Sequence, residues 1–341
     1  MLTLRDAFGF GLLYILAQGA GAAVPQTMQA AAIDGPGGPE VLTLHTLPVP
    51  KPAADEVLIA VHTAGVASWD AAVRRHPDYI KHSKMPLVLG TDGAGTVAAL
   101  GSQVRDFKIG DEVYSYSWDN PQGGFYAEYV AVPAALVGHV PSGMSLRDAG
   151  AIATTALTAI QGIDDALHIK SGDTLIIHGA SGGVGSLALQ FAKLRGARVL
   201  ATASGSDGLA FVKRLGADAV VDGREGDIAA AAHALAPAGV DAVLALAGGD
   251  ALERCVDALR PGGRLAYPSG VRPEPKPRSG ISIVRYDAVA GAQEFERLNK
   301  AIIASKLQVP IAADYRLAEA ARAHERLEAG HVLGKIVLQI R

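Results

Sequence analysis

From Met28 onward, apolar positions come in short runs with the alternation and β-branched content of strands, punctuated by Gly and Pro. The run at 28–33 stops at the Gly-Pro-Gly-Gly-Pro turn of 35–39, Val41 to Leu47 runs into the prolines of 48–52, and Glu56 to Ala64 is a longer strand. Gly93–Val97, Glu112–Tyr116 and Phe125–Val132 continue the series, so this half predicts a compact β domain.

Near Ser145 the period changes. Residues 146–166 carry helical spacing, and strands then alternate with helices: strands at 174–178, 198–202, 219–221, 240–246, 263–267 and 281–285, helices at 184–195, 207–215, 227–236 and 250–259. Such βα alternation requires a parallel sheet with right-handed crossovers and helices on both faces. Six strands fit a doubly wound Rossmann sheet. Helical patterns at 292–305 and 318–329 lead to a strand at 334–340, which needs a sheet to join and finds its natural host in the β half.

The sharpest local signal is Thr174 to Gly185. A buried strand ends in Gly179-Ala180-Ser181-Gly182-Gly183-Val184-Gly185, and a helix begins inside that turn, so free amides and the positive end of the helix face whatever lies there. A pyrophosphate is the expected occupant. Gly182 lets backbone approach the phosphates, Gly185 lets helix pack on strand, and Ala180 stands where a first glycine is usual. Gly248-Gly249 and Ser269-Gly270 follow two further strands, at the carboxyl ends where a doubly wound sheet binds its ligand, and join the candidate cofactor residues. NAD-specific sheets place an acid after the second strand to hold the ribose 2′-hydroxyl; here Ala203-Ser204-Gly205-Ser206 precedes the first acid, Asp207. Removing that repulsion favours NADPH, with Ser204 and Ser206 as hydroxyl donors and Arg224 or Lys213 as the cations that must reach the 2′-phosphate.

Composition narrows the picture. A length of 341 residues exceeds one core of ~100 to 200 residues, so two domains are expected. A net charge of −3 gives no electrostatic footprint for nucleic acid. The single Cys255, in an amphipathic helical run, excludes an intrachain disulfide or Cys-rich zinc lobe and reads as a small buried helix residue. Residues 1–27 loosely follow a signal-peptide pattern, but their apolar stretch is too short to span a membrane and Asp6 offsets Arg5. They read as an upstream extension, Met28 as the start of the fold, and the location as cytoplasmic, with export as the outcome if the segment is a true signal.

Several ordered motifs resemble the medium-chain dehydrogenase/reductase superfamily, in its quinone oxidoreductase and zeta-crystallin-like branch: Pro86 to Val97, Val104 to Val113, Gly123 to Val130, Thr155 to Ile160, the Ala-Ser-Gly-Gly-Val-Gly loop and Gly334-Lys335-Ile336-Val337. The resemblance implies a GroES-like catalytic domain from residues 28–150 and 286–341, a Rossmann domain from 151–285, and nicotinamide in the cleft between them. Where zinc-dependent relatives hold catalytic metal, this chain has Ala67, Thr91 and Asp92, and alanine offers no donor atom, so no metal is expected. His76, Asp78 and His82 read as solvated loop residues. Without zinc, the expected reaction is hydride transfer to an acceptor already electrophilic, a quinone or an α,β-unsaturated carbonyl. Thr158 resembles the family threonine beside the nicotinamide, Tyr79 is the candidate hydroxyl donor, Trp69 a candidate wall, and Asp70 and Arg74 orient the loop. Lys335 reads as backbone-proximal structure or a distant cofactor contact and not as a catalytic group, and Ile281–Arg285 as a sheet edge through which a homodimer can form. Two other classes stay open: an NADPH-binding sensor or crystallin-like structural protein, and a thioester enoyl reductase.

Overall fold

The computed structural model describes residues 24–81 and 83–341. Six strands, Thr174–His178, Arg198–Ala203, Ala219–Asp222, Val240–Ala245, Leu259–Pro268 and Ser282–Tyr286, form one sheet in which every pairing is parallel. Counted along the chain their order is 3-2-1-4-5-6, so the sheet reverses direction beside the first strand. Alternation of side chains supplies two cores from the same strands. Leu175, Ile177, Val199, Ala201, Ala242 and Leu244 face one side, where Leu187, Ala188 and Phe191 of the helix Gly183–Leu194 cover them. Ile176, Leu200, Val243 and Leu265 face the other, under Leu252, Cys255 and Val256 of the helix Asp250–Asp257. Cys255 is fully buried, and burial pushes its thiol up to about 12, which makes it a small hydrophobe rather than a reactive group.

The β half builds a seven-stranded sheet around Glu56–Val66, which pairs with Asp92–Leu100, Tyr129–Pro133 and the terminal strand Lys335–Gln339. The late strand thus joins the host its pattern demanded, in the register Ile336↔Val66 and Leu338↔Ala64. A smaller sheet combines Thr43–Pro48, Thr27–Ile33 and Leu87–Val88. Its first strand in chain order begins one residue before Met28, with Thr27 opposite Pro48, so the fold takes in the end of the proposed extension; residues 1–23 lie outside the described residues.

Besides the short strands Leu87–Val88 and Val137–His139, two longer elements have no counterpart in the sequence pattern. Ile311–Arg316 is an edge strand parallel to the last one, with half-buried and exposed positions alternating, and Ser68–Arg75 is a helix in what reads as a polar loop. The helix expected over 146–166 is α-helical from Leu146 to Gln161 and widens to a π turn at Gly162–Ala166. It packs against strands of the β half and against the helix Gly183–Leu194, so it belongs to both layers. A direct backbone bond, Gly334 amide to Ser181 carbonyl at 2.9 Å, ties the terminal strand to the glycine turn. No helix among the described residues is long and apolar enough to cross a membrane.

Candidate active site

The glycine turn is held from behind. His178 ends the first strand buried, with Nδ1 2.9 Å from Thr202 Oγ1, which also accepts the Gly179 amide at 3.1 Å. Burial, with Arg254 nearby, lowers the His178 imidazole to about 4, so it is neutral and adds no charge to the turn. Gly182 caps the next helix in extended backbone and bridges to Gly334 in parallel register, and the amides of Val184 and Gly185 find no acceptor among the described residues. A Cβ at Gly185 would lie 2.3 Å from Gly179 O and 2.6 Å from Ala180 Cα, so close helix–strand approach requires glycine there. Gly182 through Gly185 line the cleft, whereas Ala180 is buried behind them and Ser181 spends its carbonyl on Gly334.

Ser204 stands half-buried at the end of the second strand and caps the helix Gly205–Arg214 without a side-chain bond. Asp222, from the neighbouring strand, accepts the Gly205 amide at 2.8 Å and the Arg224 amide at 2.8 Å. Asp207 is paired with His331, which precedes the terminal strand of the β half, at 2.8 Å. Lys213 does not reach this end of the site, because its ammonium caps its own helix on the Ala217 and Asp218 carbonyls. Ser269 and Gly270 line the cleft, Ser269 donating to Asp287 at 2.9 Å. Leu246 lines the cleft where Gly248 and Gly249 do not; a Cβ at Gly248 would lie 2.4 Å from Arg272 O, whereas one at Gly249 would meet open space.

Between the halves lies a cleft of about 1000 Å³. The helix Leu146–Gln161, capped by Ser145 Oγ accepting the Asp148 amide, presents Thr154, Thr155 and Thr158 to it. Thr158 donates its hydroxyl to Thr154 O at 2.8 Å, so that proton is committed to the helix. Thr154 Oγ1, by contrast, is buried without a partner; the pair lies one helical turn apart, and that i, i+4 spacing was the signal that could have found it. Tyr79 sits at the rim, 50% exposed and stacked on His76 with ring centroids 5.3 Å apart. His82, the third member of the loop trio, lies outside the described residues.

Behind this wall is a buried polar cluster. Asp70 accepts the Ala67 amide at 2.8 Å and lies 3.5 Å from Thr91 Oγ1, which accepts Trp69 Nε1 at 2.7 Å. Arg74, fully buried, bonds Gly37 O, His324 and Glu328, so Asp70 and Arg74 anchor the helix Ser68–Arg75 that presents Trp69, where a loop was expected. Asp92 accepts the Thr154 amide at 2.9 Å through one oxygen, and the other has no partner. Burial, then the neighbouring Asp92, raises the Asp70 carboxyl to about 7; burial also raises Asp92, against the pull of Lys335.

Two family models match: the alcohol dehydrogenase GroES-like domain over residues 53–142 and the zinc-binding dehydrogenase over 215–338. The chain is 32% identical to the quinone oxidoreductase of Sus scrofa over 315 residues, covering 89% of this chain and 94% of the relative. It belongs to the medium-chain dehydrogenase/reductase superfamily, in the quinone oxidoreductase branch. A further superfamily member, the chloroplastic NADPH-dependent alkenal/one oxidoreductase of Arabidopsis thaliana, is 30% identical over 331 residues, covering 94% of this chain and 81% of the relative. The solved Escherichia coli quinone oxidoreductase complexed with NADPH superposes with a TM-score of 0.82 at 26% identity, covering 92% of this chain and all of the other. This quinone oxidoreductase-like member is therefore an oxidoreductase, and the cleft that its two sheets enclose is its active-site candidate.

Proposed function

We propose that this superfamily member is a zinc-independent, NADPH-dependent reductase that passes hydride to a quinone or an α,β-unsaturated carbonyl. The observation that carries the reading is the meeting in one cleft of a glycine turn with free helix amides, Val184 and Gly185, and a substrate wall that includes Ala67 at a position where zinc-dependent relatives hold metal, with Thr91 buried behind it. A tetrahedral zinc needs three protein donors beside substrate or water. Ala67 has none, the Thr91 hydroxyl is engaged by Trp69, and the Lys335 cation faces the carboxylates that remain, so the donor set does not fit zinc.

The free amides fit a pyrophosphate, which the helix dipole also favours. A bound reduced nicotinamide supplies the hydride. The chain's own residues then orient and dehydrate the acceptor: Trp69, Tyr116, Trp118 and the threonine face shape the cleft. Preference for NADPH is supported by the missing acid at Ser204, by the engagement of Asp207 with His331, and by the NADPH named for two relatives.

The test is oxidation of NADPH and NADH, followed by nicotinamide absorbance, against benzoquinone, phenanthrenequinone and a simple enone with and without chelator. Consumption of NADPH over NADH that resists chelator is expected. Loss of turnover on chelation sinks zinc independence, and binding of NADPH without turnover moves the assignment to a sensor or structural role.

A further inference from the structure

Lys335 is the one cleft-lining ammonium that the Gly-Lys motif brings to the domain junction, and its surroundings are unusual. It is 3% exposed yet lines the cleft. Its stem crosses the cofactor turn closely enough that a Cβ on Gly183 would stand 2.8 Å from Lys335 Cδ. Its Nζ lies on the substrate side, 3.5 Å from Val66 O and 5.7 Å from the centre of the Trp69 ring. An ammonium has three N–H donors, and burial without good acceptors costs free energy unless something else receives them. The long bond to Val66 O is its only hydrogen bond among the described residues. Asp70 and Asp92 act on it by charge alone, since no hydrogen bond joins either to the ammonium among the described residues.

We propose that Lys335 is the oxyanion-binding group of the acceptor subsite, holding the negative oxygen that reduction creates on a quinone or enone. The assignment rests on the reductase reading above. In the enone case a C–H bond forms at the acceptor's β carbon from the hydride that the reduced nicotinamide loses as it is oxidised. The C=C electron pair moves toward the carbonyl carbon, the C=O pair settles on oxygen, and that oxyanion meets the Lys335 ammonium. Water supplies the proton that completes the reduced product. A quinone leaves a hydroquinone monoanion with the same oxygen charge. The Gly334 amide, bonded to Ser181 O at 2.9 Å, ties the terminal strand to the glycine turn and so fixes the lysine relative to that turn.

The experiment titrates 4-nitrophenolate, an aromatic oxyanion, and nitrobenzene, a neutral analogue, into the NADP⁺-loaded full chain, for wild type, Lys335→Met and Lys335→Arg. Wild type is expected to prefer the phenolate. Lys335→Met is expected to weaken phenolate binding roughly tenfold or more while nitrobenzene shifts less than about twofold, with Lys335→Arg retaining most of the preference. If Lys335→Met does not fold, Lys335→Gln repeats the comparison. No phenolate preference in wild type, or equal loss of both ligands in the variant, overturns the proposal. Turnover by wild type together with unchanged phenolate binding in Lys335→Met sinks the lysine alone. Lysine-dependent phenolate binding without turnover on the acceptor panel sinks the reductase reading and leaves the anion site standing.

Discussion

At the scale of single residues, the buried acid Asp70 has the clearest consequence. Its carboxyl is raised from 3.8 to about 7, so the fold favours the protonated form; the stability this contributes is complete below 3.8 and is lost as pH rises through about 7. His324 works the other way. Burial, helped by Arg74, lowers it from 6.5 to about 3, and its contribution is lost as pH falls through that window. Asp70→Asn keeps an acceptor for the Ala67 amide and removes only the carboxyl's titration. The melting temperature of Asp70→Asn relative to wild type is therefore expected to climb between pH 4 and pH 7, checked by thermal unfolding in matched buffers. A difference that stays flat across that range refutes the buried-acid account.

At the scale of elements, the helix Leu146–Gln161 decides whether the cleft has a wall, because it presents Thr154, Thr155 and Thr158 while packing on both sheets. Its first turn depends on the Ser145 hydroxyl, which accepts the Asp148 amide at 3.1 Å. Ser145→Ala removes that cap and is expected to cost about 1 kcal/mol in denaturant unfolding, with KM for NADPH little changed because the capped end lies away from the glycine turn. Loss of NADPH affinity in proportion to stability would instead make the helix N-terminus part of the cofactor site.

At the scale of the whole molecule, the parallel sheet ends in Ser282–Tyr286, which among the described residues pairs only with Leu259–Pro268 and leaves its outer edge open. Val284 on that strand is 38% exposed. An open edge of this kind invites two-fold pairing with a second copy, and a homodimer is the expected state. Val284→Lys is expected to shift the sedimentation coefficient from dimer toward monomer with turnover retained, since the edge lies outside the cleft lining. A wild-type monomer, or a variant that stays dimeric, removes this edge as the interface.

Local chemistry was legible in the sequence wherever one short segment contains its own instruction. The βα alternation gave six parallel strands because side-chain period and helix period differ along a continuous stretch, and the turn at 179–185 showed its glycines because close approach and free amides are set by neighbours in the chain. The terminal strand was legible too, since an apolar β-branched run must find a sheet. The Ser68–Arg75 helix and the edge strand Ile311–Arg316 were not, because polar and half-exposed residues give no periodic signal until a neighbouring surface buries one side. Tertiary structure alone withdrew Lys213 to its own helix end, set Gly248 behind Arg272, and spent the Thr158 hydroxyl on the helix while leaving that of Thr154 free. It also moved Lys335 from a motif residue to a buried cation between cofactor turn and substrate wall, as burial, charge and distance arise only when segments some 270 residues apart are brought together.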